Sequence, residues 1–163
     1  MEMLLTNLSE LGSNPFAWGV AALVVLKAGF TTAQTVFCPL AKGTANISAE
    51  ASEVAQKTVF NPPLSFLFLV LFGMILAAGG LYMLADLTYG AIALGVIVVG
   101  MFLILTEPAR LQVVGAQTGV IATAQMDGEA PVLARQSLKG AYVQRNIYEL
   151  IIAVAVVAAL WFI

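Results

Sequence analysis

The stretch NIYELIIAVAVVAALWFI, residues 146–163, carries a single charged side chain, Glu149. A run like this leaves a chain few folds to choose from. A bilayer core about 30 Å thick is crossed by roughly 20 predominantly apolar residues in helical form. In lipid every backbone polar group must be satisfied by the protein itself, and a helix does this within one segment. Three further stretches have the same character: about 16–37, entered through Asn14-Pro15, then about 64–84 and about 89–105. Composition agrees, with 61% hydrophobic and 10% charged residues, against roughly 25% charged in soluble domains.

The expected fold is therefore all-α: a polytopic membrane protein, a four-transmembrane-helix bundle with helical cytoplasmic extensions, built as a single integral membrane domain over 1–163. Met3, Leu4, Leu8 and Leu11 recur at helical spacing in residues 1–14, which predicts a short interfacial helix ended by Gly12. That segment lacks the basic start and long apolar core of a signal peptide.

Charge gives the direction of threading. Lys and Arg accumulate on the cytoplasmic side of membrane proteins. Of the seven basic residues, Lys42 and Lys57 fall between the first two spans, and Arg110, Arg135, Lys139 and Arg145 between the last two. Glu2, Glu10 and Asp86 fall on the opposite side, with no Lys or Arg. The expectation is a plasma (inner) membrane protein with both termini outside the cytoplasm. Spans two and three, joined by a few residues around Asp86, should form a tight hairpin. The cytoplasmic arms, about 41–60 and 107–145, read as helical, with a bend at Pro62-Pro63, a turn at Asp127-Gly128 and a new helix opening near Pro131. The plan predicts two helical hairpins, spans one–two and three–four. Gly115-x-x-x-Gly119, Gly79-Gly80, Gly95 and Gly100 read as points of close helix packing. Trp18, Trp161, Phe162, Tyr82 and Tyr89 read as an outer aromatic belt, and Tyr142 and Tyr148 as the inner one.

The composition excludes several classes of chemistry. There is no histidine, and Cys38 is the single cysteine, so the expectation is no metal site and no cofactor. Cys38 has no evident base nearby and reads as an apolar filler. No basic tract tracks phosphates, so nucleic acid is not an expected partner. No phosphate-binding glycine loop or nucleophile–base pair appears.

One feature resists the membrane reading. Lys27 stands roughly 17 Å from the outer end of the first span, near mid-bilayer, where a charge costs about 2.5–3.5 kcal/mol on insertion scales. Thr31, Gln34, Thr35 and Cys38 follow it on the same helix face. A stripe of this kind must face another helix, a partner or a wet cavity. Glu149 is the candidate counter-ion, about 8 Å short of Lys27 in depth. Arg145 and Asn146 flank it and should line the mouth, whereas Asp86 and Glu107, at membrane edges, fit less well. The candidate polar cavity is Lys27, Thr31, Gln34, Thr35, Arg145, Asn146 and Glu149.

Two stretches resemble the signature of small four-span proteins of eicosanoid and glutathione metabolism, in which Arg-x-x-x-Asn-x-x-Glu opens the second span. KTVFNPPL (57–64) offers Lys57 and Asn61 but Leu64 at the acid's position. YVQRNIYE (142–149) offers Asn146 and Glu149 but Tyr142 at the arginine's, and it opens the fourth span. The second half also resembles a loose group of uncharacterised four-span proteins with Glu-Pro (here Glu107-Pro108) closing the third span; that likeness implies no activity.

Three functions are consistent with these residues. The first is a non-catalytic accessory subunit or self-associating scaffold, with the bilayer and other membrane subunits or itself as partners. It is suggested by spans rich in small residues and by Val113, Val114, Val120 and Ile121, which need covering. The second is an oligomeric small transporter, channel or lipid-binding protein with a cytoplasm-facing polar cavity around Lys27. The third, implied by the resemblance, is a glutathione-transferase-like membrane enzyme.

Overall fold

The computed structural model describes residues 10–60, 63–84 and 90–162. Its helices are α1 (Pro15–Val36), α2 (Pro39–Lys42), α3 (Ile47–Phe60), α4 (Pro63–Met83), α5 (Gly90–Thr123) and α6 (Ala130–Phe162), with no strand among the described residues. The fold is all-α, as composition required.

Residues 10–13 are helical too, so the first turn runs past Gly12 and stops at Asn14. The stop is chemical. The Asn14 side chain accepts a hydrogen bond from the Phe16 N–H at 2.9 Å, and Pro15 fills the first helical position, where no N–H is needed. Leu11 is buried against the bundle, so this turn belongs to the core. The remainder of the expected interfacial helix (1–9), the bend at Pro62, Asp86 and Tyr89 lie outside the described residues.

Three helical segments are long and apolar enough to cross a membrane: Pro15–Lys42, Gly90–Thr123 and Ala130–Phe162. The fourth apolar helix is shorter, Leu67–Met83. Length and composition thus give three candidate spans among the described residues, against the four expected. α5 has 34 residues and α6 has 33. At 1.5 Å per residue each is about 50 Å long, well beyond the bilayer core, so both continue as arms. Pro108 sits inside α5 without ending it. Between α5 and α6 the chain reverses at Asp127-Gly128, where Gly128 takes φ 94°, a backbone conformation that side chains resist.

Packing divides into two cores. The first places Ala17, Ala21, Val24 and Ala28 of α1 against Ile152, Ala153, Val156 and Leu160 of α6, with Leu94 and Val98 of α5. Small residues at three- and four-residue spacing let α1 approach α6 closely. This corrects the expected hairpin of spans one and two: α1 packs chiefly on α6 and also on α5, while α4 packs chiefly on α5. The short link allows α4 and α5 to pair, as expected. The longer segment between α1 and α4 imposes no such neighbour.

The second core lies in the arms. Leu40 and Ala41 of α2, Val113 and Val120 of α5, and Leu138, Ala141 and Tyr142 of α6 enclose it, with Cys38 at its edge. Val113 and Val120 are therefore covered within the chain, and Val114 and Ile121 are half-buried. Tyr142, expected at the lipid interface, is buried instead. It accepts hydrogen bonds from Gln117 Nε2 at 3.0 Å and Cys38 Sγ at 3.5 Å.

The glycines separate by environment. A Cβ on Gly73, Gly80 or Gly100 would meet backbone atoms of the facing helix at 2.9, 3.0 and 2.6 Å, so these three set the α4–α5 approach. Gly79 and Gly95 face open space, and so do Gly115 and Gly119. The last two line a groove of about 450 Å³ between the arms rather than a tight crossing.

Candidate functional site

Between the two cores the helices part around a polar cavity of about 430 Å³. α1 contributes Lys27, Phe30, Thr31 and Gln34; α5 contributes Phe102, Leu103, Thr106, Glu107 and Arg110; α6 contributes Arg145 and Glu149. The register follows from packing. Once Val24 meets the first core and Cys38 meets Tyr142 in the second, the stretch between them presents Lys27, Thr31 and Gln34 to the opening.

Lys27 Nζ donates to Glu149 Oε1 at 2.9 Å. The two partners differ in environment: the lysine side chain is 50% exposed and the glutamate 3%. The ammonium also stands 4.4 Å above the centre of the Phe102 ring, where the ring's negative face attracts it. On α5 Arg110 Nε donates to Glu107 Oε2 at 2.7 Å, an i,i+3 pair. Arg145 has no carboxylate partner among the described residues. Its guanidinium carbon lies 5.2 Å from the centre of the Tyr142 ring.

Several charged atoms at this cavity are buried and unsatisfied. Among the described residues nothing bonds Arg145 Nε, Arg145 Nη2, Arg110 Nη2 or Glu149 Oε2. Buried polar atoms normally find partners, and one left alone costs about 1–3 kcal/mol, more for a charged group. All four atoms belong to residues lining this one cavity.

The residues singled out by sequence divide here. Lys27, Thr31, Gln34, Arg145 and Glu149 line the cavity. Thr31 turns its hydroxyl back to the Lys27 carbonyl at 2.7 Å, which leaves it a shaping rather than a binding group. Thr35 and Asn146 form a separate pair, with Asn146 Nδ2 donating to Thr35 Oγ1 at 3.1 Å, and neither lines the cavity. Thr35 also bonds back to the Thr31 carbonyl. Sequence reasoning missed the whole contribution of α5. Arg110 entered there only for orientation, and Glu107 only as a poorer partner for Lys27 at a membrane edge. The signal available was the Glu107–Arg110 spacing on a helix that continues through Pro108.

A second, larger cavity of about 840 Å³ runs along the α1–α6 contact, lined by Val25, Gly29, Ile147, Leu150, Val154 and Trp161 among others. Its lining is apolar apart from Thr32 and Asn146. It suits hydrocarbon and carries no charged group. The chemistry lies in the smaller one.

Among the described residues no group of histidine, cysteine or carboxylate side chains has metal-binding geometry. Compared with protein-family models, curated proteins and solved structures, the chain shows no match. The reading of the cavity therefore stands on its own residues.

Proposed function

We propose that this is a four-span membrane protein that binds an anionic amphiphile in the cavity between α1, α5 and α6. The unpartnered guanidinium atoms of Arg110 and Arg145 carry the reading. Arg145 lacks a carboxylate partner among the described residues and Arg110 keeps one unbonded nitrogen, so the lining favours an anion, and Phe30, Phe102 and Leu103 beside them favour a ligand with apolar parts. α4 completes the membrane-embedded bundle as the remaining span. Its apolar stretch covers Leu67–Met83, within a helix of 21 residues, close to the roughly 20 that a crossing needs. The charge asymmetry of the loops favours a cytoplasmic side for the arms, and for the cavity mouth with them.

This reading is preferred to the accessory-subunit one because the apolar arm positions that called for a partner are largely covered by α6 and α2. It is preferred to glutathione transfer because Asn146, central to that resemblance, is engaged with Thr35 away from the cavity.

Gently extracted and weighed intact, the full chain should carry about one anionic amphiphile per copy. The Arg110→Gln/Arg145→Gln double variant should release it. A wild-type chain that is empty, and whose melting temperature ignores added anionic lipid, would refute the binding role. Threading is tested separately. With Cys38 replaced by alanine and a cysteine placed at Asp127, a membrane-impermeant thiol reagent should label cells only after the membrane is opened. Labelling of intact cells would reverse the orientation.

A further inference from the structure

The balance of charges and hydrogen-bonding groups around the cavity narrows the ligand further, granted the binding role above. Lys27 is matched by Glu149 and Arg110 by Glu107. Arg145 alone is unmatched among the described residues, so the lining holds one surplus positive charge. A ligand with a single negative charge neutralises it, and a dianion overshoots. The unbonded atoms on Arg145, both buried, are Nε and Nη2. These form one edge of the guanidinium, whose two N–H groups run parallel and grip two oxygens of one anionic group. Arg110 Nη2 supplies a further donor.

The fourth unsatisfied atom has the opposite demand. Glu149 Oε2 is a buried acceptor, so the same ligand must bring a donor. Glu149 lies four residues from Arg145 on α6, one turn away or about 6 Å. A plain fatty-acid carboxylate has no donor at that reach. A choline headgroup has no N–H or O–H. An ethanolamine headgroup has a donor but adds a cation that restores the surplus charge. We infer that the cavity is built for a phosphodiester headgroup bearing one negative charge and its own hydroxyl, with the phosphate on Arg145 and Arg110 and the hydroxyl on Glu149. A glycerol phosphodiester meets every condition. Its hydroxyls stand a few bonds from phosphorus, which matches one helical turn. The aromatic and leucine lining favours a lipid as its carrier.

The test compares short-chain lipids on the full chain in a neutral detergent, by thermal melting or by a direct binding isotherm. Phosphatidylglycerol should bind about tenfold tighter than phosphatidylmethanol, which has the same charge and no hydroxyl, because a hydrogen bond to a carboxylate is lost. Arg145→Lys keeps the charge but not the two-pronged edge, and should weaken phosphatidylglycerol about tenfold while the protein stays folded. Glycerophosphoglycerol, the headgroup without chains, identifies the carrier. Much weaker binding assigns a lipid, equal binding assigns a soluble diester, and both satisfy the headgroup rule. Equal affinity for phosphatidylmethanol and phosphatidylglycerol overturns the inference and leaves anion binding intact. Failure of every anionic lipid to bind overturns both.

Discussion

A single methyl group added at Gly100 should loosen α4 from α5. The new Cβ would stand 2.6 Å from the Gly73 carbonyl oxygen and 2.7 Å from the Ala77 nitrogen, both backbone atoms. Backbone inside a helix cannot swing aside as a long side chain can. The helices must part, and the contacts on either side stretch with them. Overpacking of this sort costs about 1–3 kcal/mol, and Gly100→Leu should exceed that and prevent assembly of the bundle. Gly95→Ala and Gly79→Ala are the controls, since a Cβ at either meets nothing within 4 Å. Their effects should stay within about 0.5 kcal/mol. Reversible unfolding of the full chain in mixed micelles measures all four. If Gly100→Ala behaves like Gly95→Ala, the close crossing of α4 and α5 is wrong.

The glycines also show what was legible beforehand and what was not. Long apolar runs fixed the helices because lipid leaves the backbone no alternative. The asymmetric charges fixed the arms because charge is costly inside. A glycine by itself says only that a helix can approach, and not whether one does. Gly100 and Gly80 meet a facing helix, whereas Gly95, Gly79, Gly115 and Gly119 do not. Which of them face a neighbour depends on helix rotation, and spans apolar all round reveal little about that. The polar cavity was half legible for the same reason. Lys27 and Glu149 stood out because each is a lone charge in an apolar run and their depths were comparable. Arg110 and Glu107 hid among ordinary boundary charges, since a helix continuing through Pro108 does not by itself say which of its faces turns toward α1 and α6. Tyr142 was misplaced because an aromatic near a span end has two good uses, at an interface or as a hydrogen-bonded plug, and only the packing of α2 and α5 around it decides.

The largest electrostatic effect should come from Lys27→Met. Glu149 is 3% exposed and would lose its only bonded cation among the described residues. Removing one partner of a fully buried pair costs about 3–5 kcal/mol; with Lys27 half-exposed and Arg145 one turn from Glu149, the loss here should be about 1–3 kcal/mol. The reciprocal change, Glu149→Leu, should cost less. The ammonium it strands is on a side chain 50% exposed, with a flexible stem that can carry it toward the polar boundary. The double variant Lys27→Met/Glu149→Leu leaves neither charge of this pair behind and should recover most of the loss, or surpass wild type, since apolar replacements of buried pairs are often neutral or stabilising. Unfolding free energies of the four proteins form a double-mutant cycle. Strong non-additivity is expected, and simple addition of the two single losses would mean that the 2.9 Å contact carries no coupling. The same four proteins separate stability from use. A pair that serves only to hold α1 against α6 is dispensable once both charges are gone, so a stable double variant would retain its amphiphile. If instead the double variant folds as well as wild type and has lost the ligand, the chain holds two charges at depth for what they bind, at a cost in stability that an apolar pair would not carry.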